Sequence, residues 1–268
     1  MPRSSIALAG LMLLTSWATA QPISPATRAE LAPTGKLRVG IHLANIYVVA
    51  KDPASGELRG VAIDLSHELA RRTGLSVEFV SYANANRLAR AIESEAWDVS
   101  FQVAEASRTG ITFTPGYAEI EATFLVPAGS PIRSIADVDR PDIRIAVPGN
   151  SALDRILTRT LKNAQLVHAR GVQAFPVSVQ LFVSDKLEAL AGLRPQLAME
   201  ADKLPGSRVL DDRFFVLPQA IGTPKGRDAA AKYLREFVED AKASGLVAQA
   251  IEKAGVRGMS VAPKAPVQ

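Results

Sequence analysis

The hydrophobic period of this chain switches repeatedly between that of a strand and that of a helix, and this alternation constrains the fold more than any other feature. Lys36-Leu37-Arg38-Val39-Gly40-Ile41 alternates polar and apolar residues as a half-buried strand does. The stretch from His42 to Arg59 is loop-like, with Asn45 and Tyr47 just past the strand end and a turn at Asp52-Pro53-Ala54-Ser55-Gly56. Ala62, Leu65, Leu69 and Ala70 then recur at helical spacing, and Gly74 stops the helix in the manner of a left-handed cap. Val77-Glu78-Phe79-Val80 is a second strand that Tyr82 follows into a loop. Leu88, Ala91 and Ile92 give the next helix its buried stripe, and Trp97-Asp98 leads into a strand marked by Val99, Phe101 and Val103. Strand, helix, strand, helix, strand is the grammar of an open α/β sheet, in which ligands bind beyond the carboxyl ends of the strands. Asn45, Tyr82 and Arg108 all fall just beyond such ends.

The pattern breaks at Ala128-Gly129-Ser130-Pro131 and restarts. Ser134-Ile135-Ala136-Asp137 resembles a capping box, and Ile143–Val147 opens a second run of alternating strands and helices. Its first strand ends in Pro148-Gly149-Asn150-Ser151, followed by a helix with Leu153, Ile156, Leu157 and Leu161 on one face. Such a helix start offers unpaired backbone N–H groups to an anion, unless Asn150 or Ser151 caps them internally. Strands at 166–168, 187–191, 209–210 and 214–217 alternate with helical spacing at 177–183 and 197–204. A break is expected at Ile221-Gly222-Thr223-Pro224. Ala230, Tyr233, Leu234, Phe237 and Val238 form the strongest amphipathic helix, ended by Gly245, with a shorter one at 246–254. Residues 21–35, with three prolines, read as a leader arm, and the tail 258–268 as disordered.

The first twenty residues combine a positive start at Arg3, an apolar run from Ile6 to Trp17 and a small-x-small ending at Ala18-Thr19-Ala20. These are the marks of a secretory signal peptide and predict a soluble, exported, periplasmic protein. With no cysteine there is no disulfide framework, no thiolate chemistry and no thiolate metal site, so the exported domain must stand on its apolar core. The formal charge of +4 comes from interleaved acids and bases, with no basic run carrying interleaved aromatics, which excludes a nucleic-acid footprint.

Arg108 stands in a small-residue turn after the Val99–Val103 strand. Its planar fork of donors matches the two oxygens of a carboxylate and stays charged at any relevant pH. The alternative is an ordinary solvated surface arginine.

The ordered set of segments resembles a periplasmic solute-binding protein of the family that serves polar amino-acid ABC importers. The resemblance rests on Leu37-Arg38-Val39-Gly40, Gly60-Val61-Ala62-Ile63-Asp64-Leu65, Trp97-Asp98-Val99, and Arg108 through Thr112-Phe113-Thr114-Pro115-Gly116-Tyr117. Ile145–Ser151 and Gly222-Thr223-Pro224-Lys225-Gly226 add to it, and together they run from about Lys36 to about Val256. It implies an α/β, two-lobed fold with two crossover hinge strands: signal peptide 1–20, first lobe 36–127 plus 218–257, second lobe 128–217. It also implies a monomer that delivers a small carboxylate ligand to ABC permease membrane subunits, with no cofactor. By resemblance, Arg108 takes the ligand carboxylate, the backbone N–H of Val103 helps, and Asn150-Ser151 completes the anion site from the second lobe. Tyr47 and Tyr82 would supply a flat apolar wall beside Asn45.

Two positions depart from the pattern. Where relatives place an aspartate for the ligand ammonium, this chain has Leu193, and where a hydroxyl precedes the arginine it has Val103. A buried ammonium without a carboxylate partner is costly, so a small organic acid fits at least as well as a plain α-amino acid unless Glu105 or Glu119 turns inward. An exported enzyme of dehydratase or lyase type on the same fold would need an acid/base pair such as Glu105 and Glu188. The chain has no nucleophile elbow, zinc-protease or phosphate-loop motif, and His42, His67 and His168 lack ligand spacing. The reading is therefore not an enzyme, with a ligand-sensing partner module as a further alternative.

Overall fold

A computed structural model describes residues 23–105, 107–170 and 174–266. The expected signal peptide lies outside the described residues. The leader arm is a correction. Ser24 accepts a hydrogen bond from the Thr27 N–H, Pro25 sits in the first turn, and helix α1 (Pro25–Leu31) forms, with Leu31 fully buried. What the prolines suggested was an irregular arm is, from Ser24 onward, a capped helix seated on the core.

The first alternating unit follows the expected order. Strand β1 (Leu37–His42) leads through a small hairpin of β2 (Ala50–Lys51) and β3 (Leu58–Arg59) into α2 (Val61–Thr73). The hairpin turn forms because Asp52 Oδ1 accepts the Ala54 and Ser55 N–H groups, each at 2.9 Å. Gly74 closes α2 at φ 63°, a left-handed conformation that glycine adopts without a Cβ clash. Strand β4 (Val77–Tyr82) runs on to Tyr82, which is therefore a strand residue rather than a loop residue. Helix α3 (Ala85–Arg90) continues into a short 3-10 turn, Ala91–Ser94, before β5 (Val99–Val103) and β6 (Ile111–Phe113).

The long strand β7 (Ala118–Val126) then enters the second unit: β8 (Arg144–Pro148), α4 (Ala152–Thr160), β9 (Gln165–Ala169), α5 (Ala174–Ser184), β10 (Ala189–Leu193), α6 (Arg194–Ala201) and β11 (Arg208–Val209). The chain returns along β12 (Phe215–Pro224) to α7 (Asp228–Ala243), α8 (Leu246–Ala254) and β13 (Met259–Val261). Two expectations are corrected here. Ile221–Pro224 is not a break but the end of β12, where Gly222 lets β5 and β6 close in; a Cβ there would lie 2.6 Å from Ile111 Cγ2. The tail is not disordered as far as residue 266. Met259–Val261 pairs antiparallel with Ala118–Ile120, because an apolar Met259 can cover the edge of β7.

The main sheet runs β4-β1-β5-β12-β7-β10-β8-β9, with β1 parallel to β4 and β5, and β8 parallel to β9 and β10. Strands β7 and β12 lie side by side, antiparallel, in the middle. Along β7, Ala118 and Ile120 enter a core shared with Val39, Leu65, Phe101, Ile221 and Phe237. Ala122, Phe124 and Val126 enter a second core with Ile145, Val147 and Leu157. Period-two alternation keeps all five on one face, so one strand serves two cores and crosses from one lobe to the other. β12 does the same in reverse, with Phe215 and Leu217 against the second core and Ile221 in the first. The chain is an α/β, two-lobed protein with two crossover strands. Asp98, fully buried at the start of β5, is held by Arg38 in a fork of 2.8 and 2.9 Å bonds and by Arg227 at 2.8 Å. This cluster pins the first lobe's strand order.

Candidate functional site

Because β1 and β5 are parallel neighbours, their carboxyl ends open on the same edge of the sheet. That edge brings together His42 at the end of β1, Asn45 and Tyr47 beyond it, Gln102 and Val103 at the end of β5, and Glu105 and Arg108 beyond that. Ile120 of β7, Leu193 of β10, and Leu217 and Gln219 of β12 close a cavity of about 200 Å³ around them. Leu193 is the last residue of β10, a second-unit strand, and packs against both cores, so the cavity sits where the crossover strands meet them.

The loop after β1 is held by backbone bonds: the Asn45 N–H donates to His42 O, and the Val48 and Val49 N–H groups donate to Asn45 O, each at 3.1 Å. The Asn45 side chain donates from Nδ2 to Gln219 Oε1 at 2.9 Å, tying the loop to β12. Arg108 is positioned by a turn in which its own N–H donates to Glu105 O at 3.0 Å, and by Nη1 donating to Ala85 O at 3.2 Å. Its side chain is 12% exposed, and Nε lies 3.5 Å from Glu105 Oε2 as a loose ion pair without a hydrogen bond. The guanidinium therefore keeps most of its fork of donors free.

Three buried polar atoms in this lining have no partner: Arg108 Nε, His42 Nδ1 and Gln102 Oε1. A buried polar atom without a hydrogen bond is costly, so around this cavity the chain by itself leaves three such bonds unmade. Burial, and then the Arg108 charge, lower the His42 pKa from its ordinary range. Burial pushes the Tyr47 hydroxyl up to about 12, so it stays protonated.

Larger depressions lie elsewhere. One, of about 410 Å³, is lined chiefly by Phe182, Leu187 and Leu204; a second, of about 350 Å³, by Asp154, Arg155, Thr158 and Arg159; and a third, of about 320 Å³, by Tyr47, Arg59, Asp64 and Lys253. None of the three is lined by a buried unpartnered polar atom among the described residues. The chemistry, rather than the volume, selects the 200 Å³ cavity.

Of the residues singled out from the sequence, Arg108, Val103, Asn45 and Tyr47 line this cavity, and so do Leu193 and Glu105. Tyr82, Asn150 and Ser151 do not. Tyr82 is half-buried and packs against Leu88, Trp97 and Ile111. Ser151 accepts the Asp154 N–H at 3.1 Å as an N-cap, and the Asn150 N–H donates to Asp154 Oδ2 at 2.8 Å. The helix start is thus closed by the chain's own carboxylate, to which His168 Nδ1 adds a contact of 3.1 Å. Glu188 forks to Arg144 at 2.8 and 3.0 Å, and that hydrogen bonding holds its carboxyl below the usual range. It does not line the cavity, and neither does Glu119, which pairs with Arg213. The Glu105 and Glu188 pair is not assembled.

His42, Gln102 and Gln219 escape a reading by period, because each sits in a strand whose apolar neighbours define the pattern. A signal was present at Gln102. Ser100 and Gln102 put two polar residues on one face of a strand whose other face is Val99 and Phe101.

Comparison with known proteins gives one family. Residues 37–256 match the family described as bacterial extracellular solute-binding proteins, family 3. The ABC transporter glutamine-binding protein GlnH of Bacillus subtilis (strain 168) is 22% identical over 224 residues, covering 82% of this chain and 81% of the relative. Among solved structures, the L-cystine solute receptor of Neisseria gonorrhoeae in its unliganded open conformation aligns with a TM-score of 0.69 at 19% identity. That alignment covers 89% of this chain and all of the receptor. A putative ABC-transporter binding component from Wolinella succinogenes DSM 1740, complexed with lysine, aligns at 0.63 and 21% identity, over 82% of this chain and 95% of that one. A match running from the first strand through the last long helices carries both lobes and both crossover strands, and the chain belongs to the bacterial extracellular solute-binding proteins, family 3.

Proposed function

We propose that this solute-binding protein captures a small carboxylate, an amino acid or related organic acid, in the cavity around Arg108 and delivers it to the membrane subunits of an ABC permease. The observation that carries this reading is Arg108 itself. It is a mostly buried guanidinium with an unpartnered Nε, inside a cavity at the carboxyl ends of parallel strands. A carboxylate there gains charge-assisted hydrogen bonds of roughly 1.5–3 kcal/mol each and neutralises the buried charge. Val103 supports the same site. The Ala104 N–H donates to Pro218 O, so the alternation of an antiparallel ladder leaves the Val103 N–H turned away from β12. Tyr47 and Asn45 form the wall on the first lobe; Leu193 and Leu217 form the apolar side.

The first lobe consists of the elements gathered around Val39 and Phe101, including α1 and β13, and the second of residues from Ala122 to Leu217. Ligand binding shifts the two lobes about β7 and β12 toward a closed form that the permease recognises. The signal peptide at 1–20 delivers the mature chain to the periplasm, where it works as a monomer. A thermal-shift screen over amino acids, keto acids, aromatic acids and dicarboxylates, with product analysis on each hit, tests this reading. A raised melting temperature with the ligand recovered unchanged is expected. Consumption of the ligand would instead favour an enzyme.

A further inference from the structure

The register along β7 shows a seam where the two cores meet. Residues 118–120 pair with both β12 and β13, and Ala122 pairs with both β12 and β10, so β10 and β13 share the edge opposite β12. On that edge β10 ends with Leu193 opposite Ala122, and β13 begins with Met259 opposite Ile120. Both strands run antiparallel to β7. β13 therefore prolongs the track of β10, and Glu121 stands opposite the gap between them.

The flanks of the gap belong to different parts of the molecule and touch one another. Arg194, next after Leu193, donates from Nε to Glu121 Oε2 at 2.6 Å and from Nη1 to Leu210 O at 2.8 Å. Gly258, just before Met259, lies against the stem of this arginine: a Cβ there would stand 2.6 Å from Arg194 Cγ. One residue earlier, Arg257 forms an ion pair with Asp202 at the end of α6, and this hydrogen bonding holds the Asp202 carboxyl below its usual range. The segment that follows stays with the first core. Met259 is buried in that core, the Ala262 N–H donates to Tyr117 O at 3.2 Å, and Lys242 Nζ donates to Pro263 O at 2.8 Å.

We propose that residues 257–261 are a latch across the hinge. β13 rides with the first lobe and stiffens β7 up to Ile120, so the bend falls at Glu121, where one edge of the strand has lost its ladder. Arg257 and Gly258 reach over to Asp202 and Arg194 of the second lobe and favour the lobe arrangement in which those contacts are made. Rotation of the lobes carries the partners apart, and a contact present in one arrangement alone shifts the equilibrium by its own free energy. The latch rests on the reading that the lobes move about β7 and β12.

The chain has no cysteine, so nitroxides at Glu57→Cys in the β2–β3 hairpin and Lys162→Cys after α4, both exposed, label one point on each lobe. Pulsed electron spin resonance on the full mature chain then reads the lobe separation without any ligand. Arg257→Asp sets two carboxylates against each other and should change the ratio of lobe arrangements by about twofold or more at low salt, the scale of an exposed pair, and by less at high salt. The exchanged variant Arg257→Asp/Asp202→Arg should return the wild-type distribution. A shift that the exchange does not reverse overturns the latch. So does an unchanged distribution in Arg257→Asp when the wild type itself shows two separations, and the lobe movement then stands alone. A single separation, identical in the wild type and both variants, overturns both.

Discussion

Asn45 and Gln219, far apart in sequence, are joined by a buried hydrogen bond of 2.9 Å from Nδ2 to Oε1. The bond ties the loop that follows the first strand to the returning crossover strand, so one wall of the cavity is anchored to β12. Asn45→Ala should leave the Gln219 oxygen buried without a donor and cost about 1–3 kcal/mol of stability. Urea unfolding with an unchanged midpoint and slope would show that the bond contributes nothing.

Arg108→Ala should weaken binding of the cognate carboxylate by about 2–5 kcal/mol, roughly 30- to several thousand-fold. Arg108→Lys keeps the charge but not the planar fork and should recover only part of that loss. Titration calorimetry on both variants checks the order, and equal affinities for wild type and Ala would refute the assignment.

Stability should fall with pH in a window set by His42. Its folded pKa lies below the ordinary imidazole value of about 6.5, for reasons of burial first and the Arg108 charge second. The unfolded chain therefore binds the proton first as pH falls, so the contribution present above about 6.5 is lost on going down toward the lowered folded value. Glu68 acts in a different window. Hydrogen bonding from Arg71 leads the causes that hold its carboxyl down to about 2, so its contribution is present above about 4.5 and is lost as pH falls through about 2. His42→Gln should flatten the dependence of Tm between about pH 7 and about pH 5 and leave the acid limb intact. A pH profile identical to wild type would exclude this role.

Helix α1 and strand β13 are structural. Leu31 is fully buried under α1 and Met259 nearly so under β13. Leu31→Ala should cost about 2–5 kcal/mol, and Met259→Ala a similar or smaller amount because that edge can collapse. Chemical denaturation of the full chain reads both. Less than about 0.5 kcal/mol for Leu31→Ala would mean that α1 is not part of the cooperative unit.

The sequence by itself determined the alternation of strands and helices, the turn at Asp52–Gly56, the left-handed stop at Gly74 and the capping box at Ser134. All of these rest on interactions within a few residues. It also pointed to Arg108, because a strand followed by a small-residue turn places its side chain at a sheet edge whatever the rest of the chain does. Only the tertiary structure decided that α1 and β13 are ordered, since each is held by apolar contacts or strand pairing with distant elements. Tertiary structure likewise packed Tyr82 against Leu88, Trp97 and Ile111 and closed the start of α4 with Asp154. It alone assembled His42, Gln102 and Gln219 into one cavity. Each of those three is a polar exception in a strand, and local period carries no information about which distant strand will lie beside it. The unpartnered atoms around the cavity come from the ends of two parallel strands and the loop after one of them, and proximity of that kind exists only once the sheet has formed.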